Sequence, residues 1–167
     1  MSVILTEKSS AAQALIGYRC PCGSIKLKKN GSYSRKTHLG NSKVLCPVPI
    51  QRIYCHDCNH TFGLLPEWLP PRRWYIWKTQ EQVLVAYLLS TSISMINKQL
   101  KIARSTIRRW VNRFKERFDC HAEQLKQFLP DVLGCTNNFV SFWLTALGRY
   151  SLVQAMCYLH NSGIATP

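Results

Sequence analysis

The chain has 167 residues and is 46% apolar, which excludes a disordered segment and allows one medium domain or two small ones. Its 22 Lys+Arg against 8 Asp+Glu leave a formal charge of +14, which calls for a polyanionic partner: nucleic acid first, an anionic membrane surface second. The N-terminus lacks a signal-peptide design and the longest apolar run, around Val83–Leu89, falls far short of the roughly 18 residues of a spanning helix, so a cytoplasmic, nucleoid-associated protein with no membrane partner is expected.

In that setting the 8 cysteines favour metal ligation over disulfides. Residues 1–17 read as an N-terminal arm, with Ala11–Leu15 a candidate short helix. From Tyr18 the texture changes. Cys20, Cys22 and Gly23 form a tight turn, and Ile25–Arg35 alternates apolar and basic residues as a half-exposed strand does. Asn30-Gly31 is a hairpin-type dipeptide, and Lys36–Lys43 reads as a loop. Val44–Tyr54 is a second extended stretch, whose Pro47 and Pro49 suggest an edge strand. Cys55-His56-Asp57-Cys58 closes the unit.

Two close cysteine pairs on turns joined by extended chain are the pattern of a zinc ribbon, in which a structural Zn2+ takes four thiolates. Cys55 and Cys58 have the usual C-x-x-C spacing, whereas Cys20 and Cys22 are only C-x-C. Cys20, Cys22, Cys55 and Cys58 form the expected set, with Cys46, His38, His56 or His60 as alternative donors. Cys120, Cys135 and Cys157 are expected to be small buried hydrophobes.

Leu65–Pro71 reads as a proline-rich linker running into Arg72-Arg73-Trp74, a stiff basic stretch suited to a minor-groove arm, to phosphate contact or to plain solvation. Helical periodicity then places helices near Tyr75–Leu89, Ser94–Leu100 and Arg104–Phe118. Leu89, Ile93, Ile96, Leu100, Ile102, Ile107 and Trp110 fit two short helices crossing at a turn plugged by Ile102. The last helix would bury Ile107, Trp110, Val111 and Phe114 and expose a face interrupted by one acid, Glu116. On that face Arg104, Ser105 and Arg108 are candidates for base contacts, and Thr106, Arg109 and Arg113 for phosphate contacts.

The segment Leu100-Lys-Ile-Ala-Arg-Ser-Thr-Ile-Arg-Arg-Trp110 resembles the Leu-Gly-Val-Ser-x-Ser-Thr-Val-x-x-Trp turn and recognition helix of transposase and resolvase DNA-binding domains. The whole order is similar to a family of small bacterial proteins with a cysteine ribbon, a Leu-Pro-x-x-Leu-Pro-Pro-Arg-Arg-like linker, a helix-turn-helix and a tail like Ser162–Pro167. The resemblance implies DNA binding in a mobile-element setting, with a transposase as a possible partner. Lys101 stands where the turn commonly has Gly, and Ala103 where Ser commonly caps the recognition helix.

Phe139–Leu147 and Leu152–Leu159 are two further apolar segments. They would either pack back on the first helix to complete one core or form a homodimer interface. The acids are scattered and no phosphate loop or nucleophile constellation is present, so no enzyme is expected. The expected fold is small α+β: an arm (1–17), a β zinc ribbon (18–64), a basic linker (65–74), an all-α helix-turn-helix (75–119) and C-terminal helices (120–167). The expected function is sequence-preferring binding of double-stranded DNA, as a transposition accessory or a transcription regulator. The alternative is a protein interaction adaptor whose nucleic-acid affinity is non-specific.

Overall fold

A computed structural model describes residues 2–5, 19–38, 45–164 and 166. The arm residues 6–17, including the helix expected at Ala11–Leu15, and most of the loop expected at Lys36–Lys43 lie outside the described residues. The chain is a small α+β protein of two compact units, Met1–Ile76 and Trp77–Pro167.

The first unit is a four-stranded sheet of β1 (Ser2–Leu5), β2 (Leu27–His38), β3 (Leu45–Cys55) and β4 (Thr61–Pro66), in the order β1-β4-β3-β2. β2, β3 and β4 are antiparallel, and β1 adds to β4 in parallel. Asn30-Gly31 makes no hairpin turn. It lies within β2, where the register shifts between Lys29 and Ser32 and Gly31 takes φ 73°, so the glycine serves a bulge. β2 also runs on through Lys36–His38, which the sequence reads as loop.

β3 is not the edge strand that its prolines suggest, since it lies between β4 and β2. β3 pairs with β4 only from Gln51 to Tyr54, whereas Pro47 and Pro49 lie where it pairs with β2 alone. A residue without an N–H costs nothing on the side that has no partner. The proline-rich stretch is likewise more than a linker: Leu65 and Pro66 belong to β4, and Leu65 and Leu69 are buried with Ile50 in a small core against Val48, Trp68 and Ile76.

The second unit holds seven helices: α1 (Trp77–Leu88), α2 (Ile93–Leu100), α3 (Arg104–Glu116), α4 (Phe118–Phe128), α5 (Pro130–Leu133), α6 (Phe139–Arg149) and α7 (Leu152–Asn161). The sequence reading expects C-terminal helices over 120–167 without marking out α4 and α5, and it extends α1 too far: Leu89 lies beyond the helix and is 64% exposed. One core joins Trp77, Leu84 and Leu88 of α1 to Phe114 of α3, Leu125 of α4, Phe142 and Trp143 of α6, and Leu152, Met156 and Leu159 of α7. The C-terminal apolar segments therefore complete the core of α1. Glu81 helps hold them, since its carboxylate accepts from the Leu152 backbone N–H at 2.7 Å and from Lys78 at 2.8 Å. A carboxylate at the start of α7 also meets the positive end of that helix. No described helix is long and apolar enough to cross a membrane.

Candidate metal centre and basic helix face

The two cysteine turns meet because Leu27 at the start of β2 pairs with Cys55 at the end of β3, so the chain entering one strand and leaving the other share one end of the sheet. The shorter first turn closes by other means than a C-x-x-C loop. Pro21 presets the backbone, Gly23 donates its N–H to the Cys20 carbonyl at 2.7 Å, and Cys20 donates to Ser24 at 2.8 Å. Gly23 sits at φ 89°, a conformation that side chains disfavour. In the second turn Cys55 donates to the His60 carbonyl at 2.9 Å, and Asn59 takes φ 57° with its side chain accepting from the Tyr54 hydroxyl at 2.6 Å. Lys26 pairs with Asp57 at 3.4 Å, linking the two turns.

Cys20 Sγ lies 3.6 Å from Cys58 Sγ, and Cys22 Sγ lies 3.7 Å from Cys55 Sγ. All four sulfurs fall within 4.8 Å of one another. All of these separations are far too long for disulfides, and the two shorter ones, 3.6 and 3.7 Å, match the edge of a thiolate tetrahedron, about 3.8 Å for a metal–sulfur bond of about 2.3 Å. Cys20, Cys22, Cys55 and Cys58 are thus positioned to bind a metal ion. The other sequence candidates lie apart. Cys46 pairs with Thr37 toward the opposite end of the β2–β3 ladder, and His38 stacks on Tyr75 at 4.6 Å. His56 is exposed, and the exposed His60 turns its Nδ1 to the Cys58 carbonyl at 2.7 Å.

The electrostatics of the four thiols explain why a cation suits them. Backbone N–H groups, first that of Cys58 and then that of Asp57, oppose burial and hold the Cys55 thiol down at about 6. The Cys22 backbone favours the Cys20 thiolate, but burial and the neighbouring thiols outweigh it and push Cys20 up to about 12. The His60 backbone does the same for Cys58, and there too burial and Cys55 win, raising its pKa. Thiols packed side by side cannot all ionise without a positive ion between them, so Cys55 takes the charge while Cys20 and Cys58 keep their protons.

In the second unit α2 and α3 are joined by the short turn 101–103. Ser92 caps α2, accepting from the Met95 N–H at 3.3 Å. Lys101 ends it at φ 56°, ψ 29°, the left-handed geometry that the common glycine would adopt without cost. Ile102 is buried and its carbonyl accepts from Asn97 at 2.7 Å, so the plug and the turn are tied to α2. Ala103 begins α3 with no side-chain cap.

Ile107, Trp110, Val111 and Phe114 of α3 are buried, and Arg104, Ser105, Arg108 and Arg109 are exposed. Thr106 and Arg113 are half-buried. Arg104 donates to Ser94 of α2 at 3.1 Å, and Lys115 reaches back to the Tyr87 hydroxyl at 2.7 Å. Those two contacts, invisible to a periodicity argument, brace the ends of the basic face. Arg72 is exposed and Arg73 half-buried in the first unit. Of the remaining cysteines, Cys157 is buried as expected, but Cys120 and Cys135 are exposed at helix and turn positions that face solvent.

No curated protein and no solved structure matches the chain. A family model described as a domain of unknown function (DUF6431) matches residues 20–110. Because that match runs from the first cysteine of the cluster to Trp110 of α3 and spans more than half of the sequence, the chain belongs to the DUF6431 family.

Proposed function

We propose that this chain is a sequence-preferring double-stranded DNA-binding protein, built from a structural zinc ribbon and a helix-turn-helix formed by α2 and α3. The observation that carries the reading is the division of α3 into a buried apolar face and an exposed face bearing Arg104, Ser105, Arg108 and Arg109, with Glu116 the one acid of the helix. An α-helix fits the major groove, where an arginine can bond a guanine edge with two hydrogen bonds. Arg104, Ser105 and Arg108, in the first turns of α3, take the base edges. Thr106, Arg109 and Arg113 take phosphates, and Arg72 and Arg73 add flanking backbone contacts.

Zinc is the ion that best suits four thiolates at tetrahedral spacing, and its role is to hold the ribbon together. A closed four-sulfur site has no open position for a substrate, so the protein acts by binding. The likeness of Leu100–Trp110 to transposase and resolvase recognition helices supports a role beside a mobile element, as an accessory to a transposase, or in transcription control. A homodimer reading two half-sites is compatible with either.

Selection of the zinc-loaded protein on a random duplex library at near-physiological salt tests the reading. A sharply enriched motif is expected, and its symmetry reports the number of copies bound. Arg104→Ala and Arg108→Ala should each flatten the preference at one position, by about 1–3 kcal/mol of base discrimination. Binding confined to low salt, with no motif, would replace this reading with that of an adaptor whose charge attracts nucleic acid without choosing a sequence.

A further inference from the structure

We propose that the sheet unit carries a cleft of its own for unpaired nucleotides of a DNA strand, between the outer edge of β2 and the chain at Arg72–Trp74. The proposal concerns a different unit from α3 and shares only Arg72 with the duplex reading. The cleft has a volume of about 340 Å³ and is lined by Tyr33, Ser34, Arg35, Lys36, Arg72 and Trp74.

Its frame is fixed by long-range contacts. The Trp74 carbonyl accepts from the His38 N–H and the Thr37 hydroxyl, each at 2.6 Å. The Arg35 guanidinium donates to the Pro70 carbonyl at 2.8 Å and to the Arg73 carbonyl. The segment is therefore strapped along the open edge of β2, which has no strand beside it among the described residues. Tyr33 is seated against Gly63, where an added Cβ would stand 3.2 Å from the tyrosine hydroxyl and 3.4 Å from Cε1. The missing side chain at Gly63 makes room for that ring.

The backbone is held, yet the rings stay open to water: Trp74 is 63% exposed and Tyr33 43%. Arg72, which also lines the cleft, adopts φ 57°, a conformation disfavoured for any side chain. No carboxylate pairs with Arg35, Lys36 or Arg72 among the described residues. Exposed aromatic planes beside unneutralised cations match a ligand that offers a flat base and a phosphate together. Duplex DNA offers its phosphates but keeps its bases stacked inside, so it would leave both rings unused. An unpaired strand uses both, with bases on Trp74 and Tyr33 and phosphates on Lys36 and Arg72.

The test uses the metal-loaded full chain and two labelled probes of equal charge: a short oligothymidine, and the same backbone with abasic sugars. The oligothymidine should bind more tightly. Trp74→Ala and Tyr33→Ala should each weaken it by roughly 5- to 150-fold, leaving the abasic probe and the selected duplex motif unchanged. Trp74→Phe keeps a ring and should recover most of the affinity, and an unchanged cobalt–thiolate spectrum in each variant reports an intact ribbon. Equal affinity for the two probes, or variants that bind oligothymidine like the parent, would overturn the proposal. The two readings fail separately. A missing duplex motif leaves oligothymidine binding standing, and probes of equal affinity leave the duplex reading standing.

Discussion

Lys101 and the cysteines show how single side chains set local cost and chemistry. Lys101 ends α2 in left-handed backbone, which costs a non-glycine residue about 1–2 kcal/mol. Glycine removes that cost but gives back part of it through the freedom it gains on unfolding. Lys101→Gly should therefore stabilise the helical unit by about 0.5–1 kcal/mol, read as a higher urea midpoint with an unchanged slope. At the metal centre Cys20 and Cys58 hold protons in the metal-free protein, because their pKa values are raised, while Cys55 at about 6 is already a thiolate at neutral pH. Metal uptake at pH 7 should then release at least the protons of Cys20 and Cys58. Calorimetric titration in two buffers of different ionisation enthalpy measures that number, and acid should weaken binding because protons compete for the same sulfurs.

Helix ends and helix faces account for much of the second unit. α7 starts with a full capping box, in which Ser151 accepts from the Gln154 N–H at 3.3 Å and Gln154 accepts from the Ser151 N–H at 3.0 Å. α6 starts on Asn138, which accepts from the Ser141 N–H at 2.8 Å. α3 starts on Ala103, which offers nothing, although its φ −57°, ψ 136° would suit a capping residue. Ala103→Ser should thus stabilise the unit by about 1 kcal/mol, measured by thermal or urea unfolding. The opposite effect is expected at Trp143. It is fully buried and meets Phe114 edge-on at 5.3 Å, so Trp143→Ala should cost about 3–5 kcal/mol. A small loss there would mean that α6 does not belong to the core that supports α3.

For the molecule as a whole, the metal centre belongs to one unit while the positive charge is spread over both. All four cysteines of the cluster lie within Met1–Ile76, whose buried apolar groups form small clusters among the described residues. Trp77–Pro167 has a larger core and none of those four cysteines. Chelation should therefore unfold the sheet unit and leave most of the helical circular-dichroism signal, with the cobalt–thiolate bands lost in parallel. Loss of all helical signal on chelation would show that the two units fold as one. With +14 formal charges, duplex affinity should fall steeply with salt. If Arg72, Arg73, Arg109 and Arg113 are the phosphate contacts, log K against log salt should slope at roughly −3 to −4, and replacing any one of them should reduce the slope by about one.

Features set by neighbours in the chain were legible in advance. The cysteine pairs at 20/22 and 55/58, the apolar and basic periodicity of α3, the plug at Ile102 and the absent cap at Ala103 all depend on spacing over a few residues. Helical and turn geometry converts such spacing into faces and turns directly. Features set by distant partners were not legible. Cys20 and Cys22 were the expected donors, but what keeps Cys46 and His38 out is the strand register that brings Leu27 opposite Cys55. The use of Phe142, Trp143 and Met156 as core rather than dimer surface follows from their packing on α1. The strapping of the 70–74 segment to β2, by Arg35 at Pro70 and Arg73 and by Thr37 and His38 at Trp74, joins residues whose sequence context reads as a free basic linker. An apolar or basic side chain carries no mark of which remote surface it will meet. That pairing emerges only when strands take register and helices bury a shared core.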